Sequence, residues 1–407
     1  RSVPLFRSLQ AKLDTLNRVV RERLAGMRVI RAFDRIEHEH RRFEAANEDL
    51  TGTAIRANRL MAVMMPLMML VMNLTIVAIV WFGSRLIAAE RLEVGDLMAF
   101  IQYAMQIMFS LLMVSMLFAM IPRAAVSAGR INEVLDTAPT IVDRPAPQAA
   151  ANAPSDTESE PPGIAFAGVR FGYPGAAEPV LSDVSFRAPR GRVTALIGGT
   201  GAGKSTIVNL IMRFYDIDAG RVCIDGVDVR EWSQAALRAK IGLVPQKAVL
   251  FTGSVAENIR YGDEHASDEA VQHAAQIAQA AEFIDELPER YGAPVTQGGT
   301  NLSGGQRQRL AIARAIVRRP KIYVLDDCFS ALDFRTDARL RAALRAETGN
   351  ATVLIVAQRV STVMHADQVI VLDEGHIVGI GTHRELLQTC GVYREIVASQ
   401  LDEEEIA

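Results

Sequence analysis

Val193-Thr194-Ala195-Leu196-Ile197-Gly198-Gly199-Thr200-Gly201-Ala202-Gly203-Lys204-Ser205-Thr206 reads as a strand, a loop and the start of a helix. The run Val193–Ile197 is apolar without alternation, as a strand covered on both faces is. Gly198 to Ser205 match the pattern GxxxxGK[ST], and the spacing predicts a helix over Thr206–Met212. The glycines let backbone N–H groups turn inward and form a concavity for an anion. The helix N-terminus adds its partial positive charge. In such a loop Lys204 reaches the outer phosphates of a nucleotide, and the Ser205 hydroxyl is placed to ligate Mg2+.

From Gly163 onward, short β-rich runs alternate with helical segments, among them Ile322–Leu325 and Val353–Val356. That alternation predicts an α/β domain with a largely parallel core sheet. The run Ile322–Leu325 ends in Asp326-Asp327. A carboxylate at the C-terminal edge of a parallel sheet lies where ligands bind, so Asp326 fits the role of holding Mg2+, directly or through water.

Toward the N-terminus, residues 137–162 carry Pro139, Pro145, Pro147, Pro154, Pro161 and Pro162 among Ala, Ser and acidic residues. Such a stretch buries too little apolar surface to order itself and reads as a flexible linker. Before it stand two uncharged blocks, Leu60–Gly83 (24 residues) and Leu97–Pro122 (26 residues). About 20 residues suffice to cross a bilayer as a helix. Trp81 lies near one edge, as interfacial aromatics do. Segment 1–59 has 13 Lys/Arg against 8 Asp/Glu, whereas the connection 84–96 has Arg85 and Arg91 against Glu90, Glu93 and Asp96. Positive residues favour the cytoplasm, so 1–59 and everything after Arg123 are expected inside. Leu13, Leu16, Val20, Leu24, Met27 and Ile30 recur at helical spacing within Leu9–Phe33, and 35–58 continues as charged helix. The acidic residues in this stretch argue for packing against partner helices rather than against a membrane surface.

Composition agrees with this division. Apolar residues make up 49%, concentrated in the two blocks, and the net charge of −3 gives no reason to expect a nucleic-acid partner. Cys223, Cys328 and Cys390 are far apart with no CxxC spacing, so neither a disulfide framework nor a zinc site is expected. The chain opens at Arg1 with no signal-peptide pattern and reads as starting inside a longer protein. The acidic tail 402–407 is expected to be solvated.

Leu302-Ser303-Gly304-Gly305-Gln306, followed by Arg307-Gln308-Arg309, resembles the signature of the ATP-binding cassette (ABC) transporters. The resemblance implies ATP and Mg2+ as cofactors and ATP hydrolysis as the reaction. It implies a head-to-tail dimer in which the helix after Ser303 turns its N-terminus to the γ-phosphate held on the opposite subunit. Tyr173, in Phe171-Gly172-Tyr173-Pro174, looks like the aromatic that stacks on adenine. Gln246, in Val244-Pro245-Gln246, resembles the glutamine that senses Mg2+ and faces the membrane domain. Ser330-Ala331-Leu332-Asp333 resembles the loop that crosses the dimer interface. The match covers 163–401. Residues 1–136 resemble the C-terminal part of an exporter transmembrane domain, with a cytoplasmic helix over 8–34, a coupling helix over about 28–45, and spans five and six at about 60–83 and 97–122. Spans one to three and most of four would precede Arg1. The resemblance therefore implies a multi-pass cell-membrane subunit with a cytoplasmic ATPase domain, exporting a drug-like or lipid-like molecule.

Two positions depart from the pattern at the residues most concerned with hydrolysis. The general base after the Mg2+ aspartate is usually Glu, and here it is Asp327. Its carboxylate is drawn back by one C–C bond, ~1.5 Å, and a misplacement of about 1 Å can cost on the order of 100-fold in rate. The family's switch histidine is replaced by Gln358, whose amide can hydrogen-bond a phosphate but cannot exchange a proton near neutral pH. Gln297 also stands where exporters often carry Glu. The pattern resembles the weakly hydrolytic half of a heterodimeric exporter, with a homodimer as the other option. Two competing readings are a soluble cassette ATPase and a nucleotide-binding fragment without transport. The two apolar blocks argue against the first, and what precedes Arg1 decides the second.

Overall fold

A computed structural model describes residues 2–143 and 163–400. The prolines from 145 to 162 and the acidic tail 402–407, on which the linker and tail expectations rest, lie outside the described residues. The chain divides into two compact units, 1–138 and 139–407.

The first unit is helical: α1 (Ser2–Ala25), α2 (Met27–Ala32), α3 (Ile36–Ala88) and α4 (Val94–Leu135). The helix expected across 9–33, and the coupling helix expected across about 28–45, are each divided. Gly26 sits off the helical conformation, and Asp34 takes a left-handed φ of 49° between α2 and α3. Asp tolerates that region because its short side chain bonds locally. The break turns the chain back, so α1 and α3 run antiparallel. Lys12 Nζ donates to Asp49 Oδ1 at 2.6 Å, and Arg42 pairs with Glu22 at 2.7 Å. Both predicted apolar blocks lie inside much longer helices, the first in α3 and the second in α4. The most apolar windows are Met65–Ala88 and Val94–Leu111, neither of them buried within the protein. The two helices meet tightly at Gly83, where a Cβ would come within 2.3 Å of Leu97.

The second unit begins within the expected linker, where its residues 139–143 are described. Its first residues are held in place: Asp143 Oδ1 accepts from Gln234 N–H at 2.9 Å, and Arg213 Nη2 donates to the Val142 carbonyl at 3.4 Å. These polar anchors hold residues 142 and 143 to the domain.

Strands β1 (Ile164–Phe171), β2 (Leu181–Ala188), β3 (Val193–Gly198), helix α5 (Lys204–Ile211), β4 (Ala219–Ile224) and β5 (Val227–Asp228) follow. Then come α6 (Gln234–Ala239), β6 (Ile241–Val244), β7 (Gly253–Ser254), α7 (Val255–Arg260), α8 (Asp268–Ile277), α9 (Ala281–Asp285), β8 (Pro294–Val295) and α10 (Gly304–Val317). The unit ends with β9 (Ile322–Asp326), α11 (Phe334–Glu347), β10 (Thr352–Val356), α12 (Val360–Val363), β11 (Gln368–Asp373), β12 (His376–Gly381), α13 (His383–Thr389) and α14 (Gly391–Ala398).

The central sheet has the order β12-β11-β3-β10-β9-β6, parallel except for the β11–β12 hairpin. An antiparallel sheet, β2-β1-β4-β5, stands beside it. Strand alternation divides the interior in two. Ala195, Ile197, Leu325, Val353 and Ile355 point into one core, and Leu196, Val324, Leu354 and Val356 into the other. Both faces of β3, β9 and β10 are therefore covered, which is why these runs are uniformly apolar. The architecture is helical transmembrane-type segments followed by an α/β phosphate-loop domain with mixed sheets.

Candidate nucleotide site

The phosphate loop joins β3 to α5. Helix α5 starts at Lys204, two residues before the predicted start, because Gly203 already closes the loop with φ at 100°. Lys204 and Ser205 therefore occupy the first turn, where backbone N–H groups have no partner inside the helix. Gly201 also takes a left-handed φ, 85°. A Cβ on Gly199 or Gly201 would meet nothing within 4 Å, so these glycines border open space. A Cβ on Gly198 would come within 2.0 Å of the Leu372 carbonyl, so that glycine answers to packing. Gly199, Thr200, Gly201 and Ser205 form the exposed rim, with Ala202, Gly203, Lys204 and Thr206 beneath.

Lys204 Nζ donates to the Gly198 and Gly199 carbonyls at 2.8 and 2.7 Å, folding over the loop. Burial pulls its pKa down, against the opposing pull of Asp327 and Asp326. Asp326, at the end of β9, has its carboxyl pushed up by burial and by Asp327, while Lys204 and a hydrogen bond from Ser205 work the other way. Burial likewise raises Asp327, opposed by Gln246, Lys204 and Arg359. Ser205 in the first turn of α5 and Asp326 at the end of β9 thus present a hydroxyl and a carboxylate at the same sheet edge. That hard oxygen donor set suits Mg2+. Among the described residues no three His, Cys, Asp or Glu gather as a metal cluster, so an ion held by Ser205 and Asp326 would need further ligands from neutral side chains, nucleotide or water.

Gln246 follows β6. Its Nε2 donates to Asp327 Oδ2 at 3.3 Å, and buried Gln308 holds the Pro245 carbonyl at 3.3 Å. Asp327 itself takes a left-handed φ of 46°, and its N–H donates to the Val356 carbonyl at 2.8 Å. Gln358 follows β10 with an exposed side chain. The parallel order of β3, β10 and β9 brings Gly198, Gln358 and Asp326 to one sheet edge. Tyr173 lies against α5: its hydroxyl is 3.2 Å from Thr206 Oγ1 and accepts from Asn209 Nδ2 at 3.3 Å. Its ring meets Tyr215 edge-on at 5.1 Å.

In the signature, Leu302 is buried and Ser303 caps α10. Ser303 Oγ accepts from Gln306 N–H at 3.2 Å, and Gln306 Oε1 accepts from Ser303 N–H at 2.8 Å. A Cβ on Gly304 would meet nothing, whereas one on Gly305 would come within 3.1 Å of the Ala331 carbonyl. Asp333 caps α11 by accepting from Thr336 N–H at 2.9 Å. Gln297 lies in a short 3-10 turn that Gly298 bends with φ at 70°. The sequence reading missed Asn209 and Arg359. Arg359 donates to the Ser330 carbonyl at 3.2 Å and lends positive potential to Asp327. Its place beside Gln358 was the available signal, whereas nothing local marks Asn209.

Comparison with known proteins identifies the family. The family description "ABC transporter" matches residues 181–330, and "ABC transporter transmembrane region" matches 2–111. An uncharacterized ABC transporter ATP-binding protein of Mycobacterium tuberculosis (strain ATCC 25618 / H37Rv) is 47% identical over 403 residues, covering 98% of this chain and 68% of the relative. An ATP-dependent lipid A-core flippase of Aromatoleum aromaticum is 37% identical over 399 residues, covering 98% of this chain and 65% of the relative. The solved structure of a bacterial Atm1-family ABC exporter with ATP bound superposes with a TM-score of 0.85 at 32% identity, over 99% of this chain and 70% of that one.

The fold and site define an ATP-binding cassette ATPase joined to transmembrane helices. The chain belongs to the ABC transporters that carry a transmembrane region and an ATP-binding domain on one polypeptide, and it is exporter-like. It is an ATP-binding membrane protein of a family that works as dimers.

Proposed function

We propose that this chain is one half of a heterodimeric exporter and that its own nucleotide site is the weakly hydrolytic one. Asp327 carries the reading. It stands where the base would be, one methylene short, with its carboxylate turned to Gln246 at 3.3 Å. Gln358 beside it cannot carry a proton near neutral pH.

In this reading the loop Gly198–Thr206 holds the phosphates, Tyr173 stacks on adenine, and Ser205, Asp326 and Gln246 hold Mg2+. Bound Mg2+ would neutralise charge on the transferring phosphate. Lys204 leaves the loop carbonyls for the phosphates, and Gln358 donates its amide to the terminal one. Ser303–Gln306 face the partner's nucleotide, with open Gly304 admitting its close approach. The Asp333 carboxylate is committed to its own helix, so Asp333 serves the interface through its backbone. ATP closes the two domains, and hydrolysis at the partner's site reopens them. The subunit resides in the cell membrane with its ATPase domain cytoplasmic. A lipid-like or drug-like cargo accords with the name of the lipid A-core flippase relative.

The chain purified with its partner subunit tests this through Ser303→Ala and Asp327→Asn. Ser303→Ala should cut ATP turnover at least tenfold and Asp327→Asn by less than twofold; about 1.4 kcal/mol separates a factor of ten. The reverse order would refute it. A second reading, a homodimer with two working sites, draws on the raised Asp327 carboxyl, since a base closer to neutrality transfers protons better. It requires Asp327→Asn to abolish turnover.

A further inference from the structure

Gln400 closes on the loop that carries Gln358. Its Oε1 accepts from Val360 N–H at 2.9 Å, and its Nε2 donates to the Gln358 carbonyl at 2.8 Å. The two bonds fall on either side of Arg359. They require a primary amide, because one backbone group is a donor and the other an acceptor. A carboxylate would satisfy Val360 N–H but face the Gln358 carbonyl with lone pairs.

The post that carries this amide is anchored in the domain. Gln400 N–H donates to the Val397 carbonyl at 3.0 Å, one residue beyond α14 and its cap. Tyr393 and Val397 of that helix are buried, and the Tyr393 hydroxyl lies 2.7 Å from His383 Nδ1. The other side of the loop is held by the sheet and by the 330–333 loop. Ala357 N–H donates to the Leu196 carbonyl at 3.0 Å, and Arg359 Nη2 to the Ser330 carbonyl at 3.2 Å. Gln358 is exposed, so no packing holds its side chain, and the backbone position sets where the amide can reach.

We infer that Gln400 is a positioning residue that aims the Gln358 amide at the terminal phosphate of ATP. The inference rests on the reading of Gln358 as a γ-phosphate contact. It has a consequence that general destabilisation lacks. Only the terminal phosphate is affected, so loss of Gln400 weakens ATP while ADP, held by Gly198–Thr206, binds as before.

The test uses the full chain in lipid nanodiscs in the cold. Mg-ATP and Mg-ADP each displace a fluorescent methylanthraniloyl-ADP from Gln358→Ala, Gln400→Ala, Gln400→Glu and the Gln358→Ala/Gln400→Ala double variant. Each single variant should lose about fivefold in preference for ATP over ADP, the factor one ordinary hydrogen bond supplies. The double variant should lose no more than Gln358→Ala alone. Gln400→Glu keeps the Val360 bond and covers the case in which Gln400→Ala does not fold. If Gln358→Ala loses the preference and the Gln400 variants keep it, the positioning role is refuted and the reading of Gln358 stands. If Gln358→Ala keeps the preference, that reading falls and takes the positioning role with it. Equal weakening of both nucleotides by the Gln400 variants, or additive losses in the double variant, also overturns the role.

Discussion

Buried Asp326 and half-buried Asp327 are neighbouring carboxylates, and both are pushed above the ordinary carboxylate range chiefly by burial. A group whose folded pKa is raised contributes stability that is present below its unfolded pKa and lost as pH rises through the folded one. At neutral pH the pair therefore strains the nucleotide-free domain. Asp326→Asn should raise its melting temperature at pH 7 by about 2 °C, and the gain should shrink toward pH 4 in calorimetric scans. Lost Mg-ATP binding in the same variant would mark the site as one held at a cost to stability. Gly203 is a sharper case. With φ at 100° and Leu181 within 2.7 Å of a Cβ, Gly203→Ala should destabilise the domain by about 2 kcal/mol in urea unfolding. Both positions could be picked out in the sequence, because a GxxxxGK[ST] loop and an aspartate after an apolar strand announce themselves. The 3.3 Å bond from Gln246 to Asp327 could not, since 81 residues separate the two.

At the scale of single elements, α10 joins stability to function through one residue. Ser303→Ala removes the capping box and should cost about 1 kcal/mol in thermal unfolding. Ser303→Asp keeps a good cap, so stability should hold, yet its charge faces a phosphate on the partner and turnover should still fall. Loss of stability without loss of turnover in Ser303→Ala would reduce Ser303 to a cap. Asp225, in the turn after β4, shows purely structural use of charge. Burial alone would raise its carboxyl, but hydrogen bonds from Lys240 and Arg190 outweigh it and hold the pKa below the usual value. That stability is present above the ordinary carboxylate pKa and lost as pH falls through the depressed one. Asp225→Ala should cost about 1 kcal/mol at pH 7 by removing its ion pairs with two solvent-accessible cations, and less at pH 3. Element types were legible from period and apolar runs. Their ends were not: the breaks at Gly26 and Asp34 interrupt a periodicity that continues on both sides.

On the scale of the whole molecule, the two units call for different solvents. Large apolar side chains from Val63 to Ile121 stand exposed along α3 and α4, while the second unit buries its apolar residues in two cores. The intact protein should stay with the membrane pellet after alkaline carbonate extraction, and residues 139–407 alone should be recovered without detergent and bind Mg-ATP. Release of the intact chain by salt would contradict a membrane-embedded first unit.

The amino-acid sequence by itself determined the order of the parts: two apolar helices, then a phosphate loop, a signature and an acidic strand end, each a local pattern whose physics needs only neighbouring residues. It also exposed the two substitutions, Asp327 and Gln358, that shape the functional reading. Only the tertiary structure decided which distant groups serve them. Parallel pairing of β3, β10 and β9 brings three loops to one edge, and the end of α14 returns Gln400 to the backbone around Gln358. Such bonds join residues 42 positions apart or more and leave no periodicity, because a hydrogen bond depends on where folding places two atoms and not on their spacing along the chain.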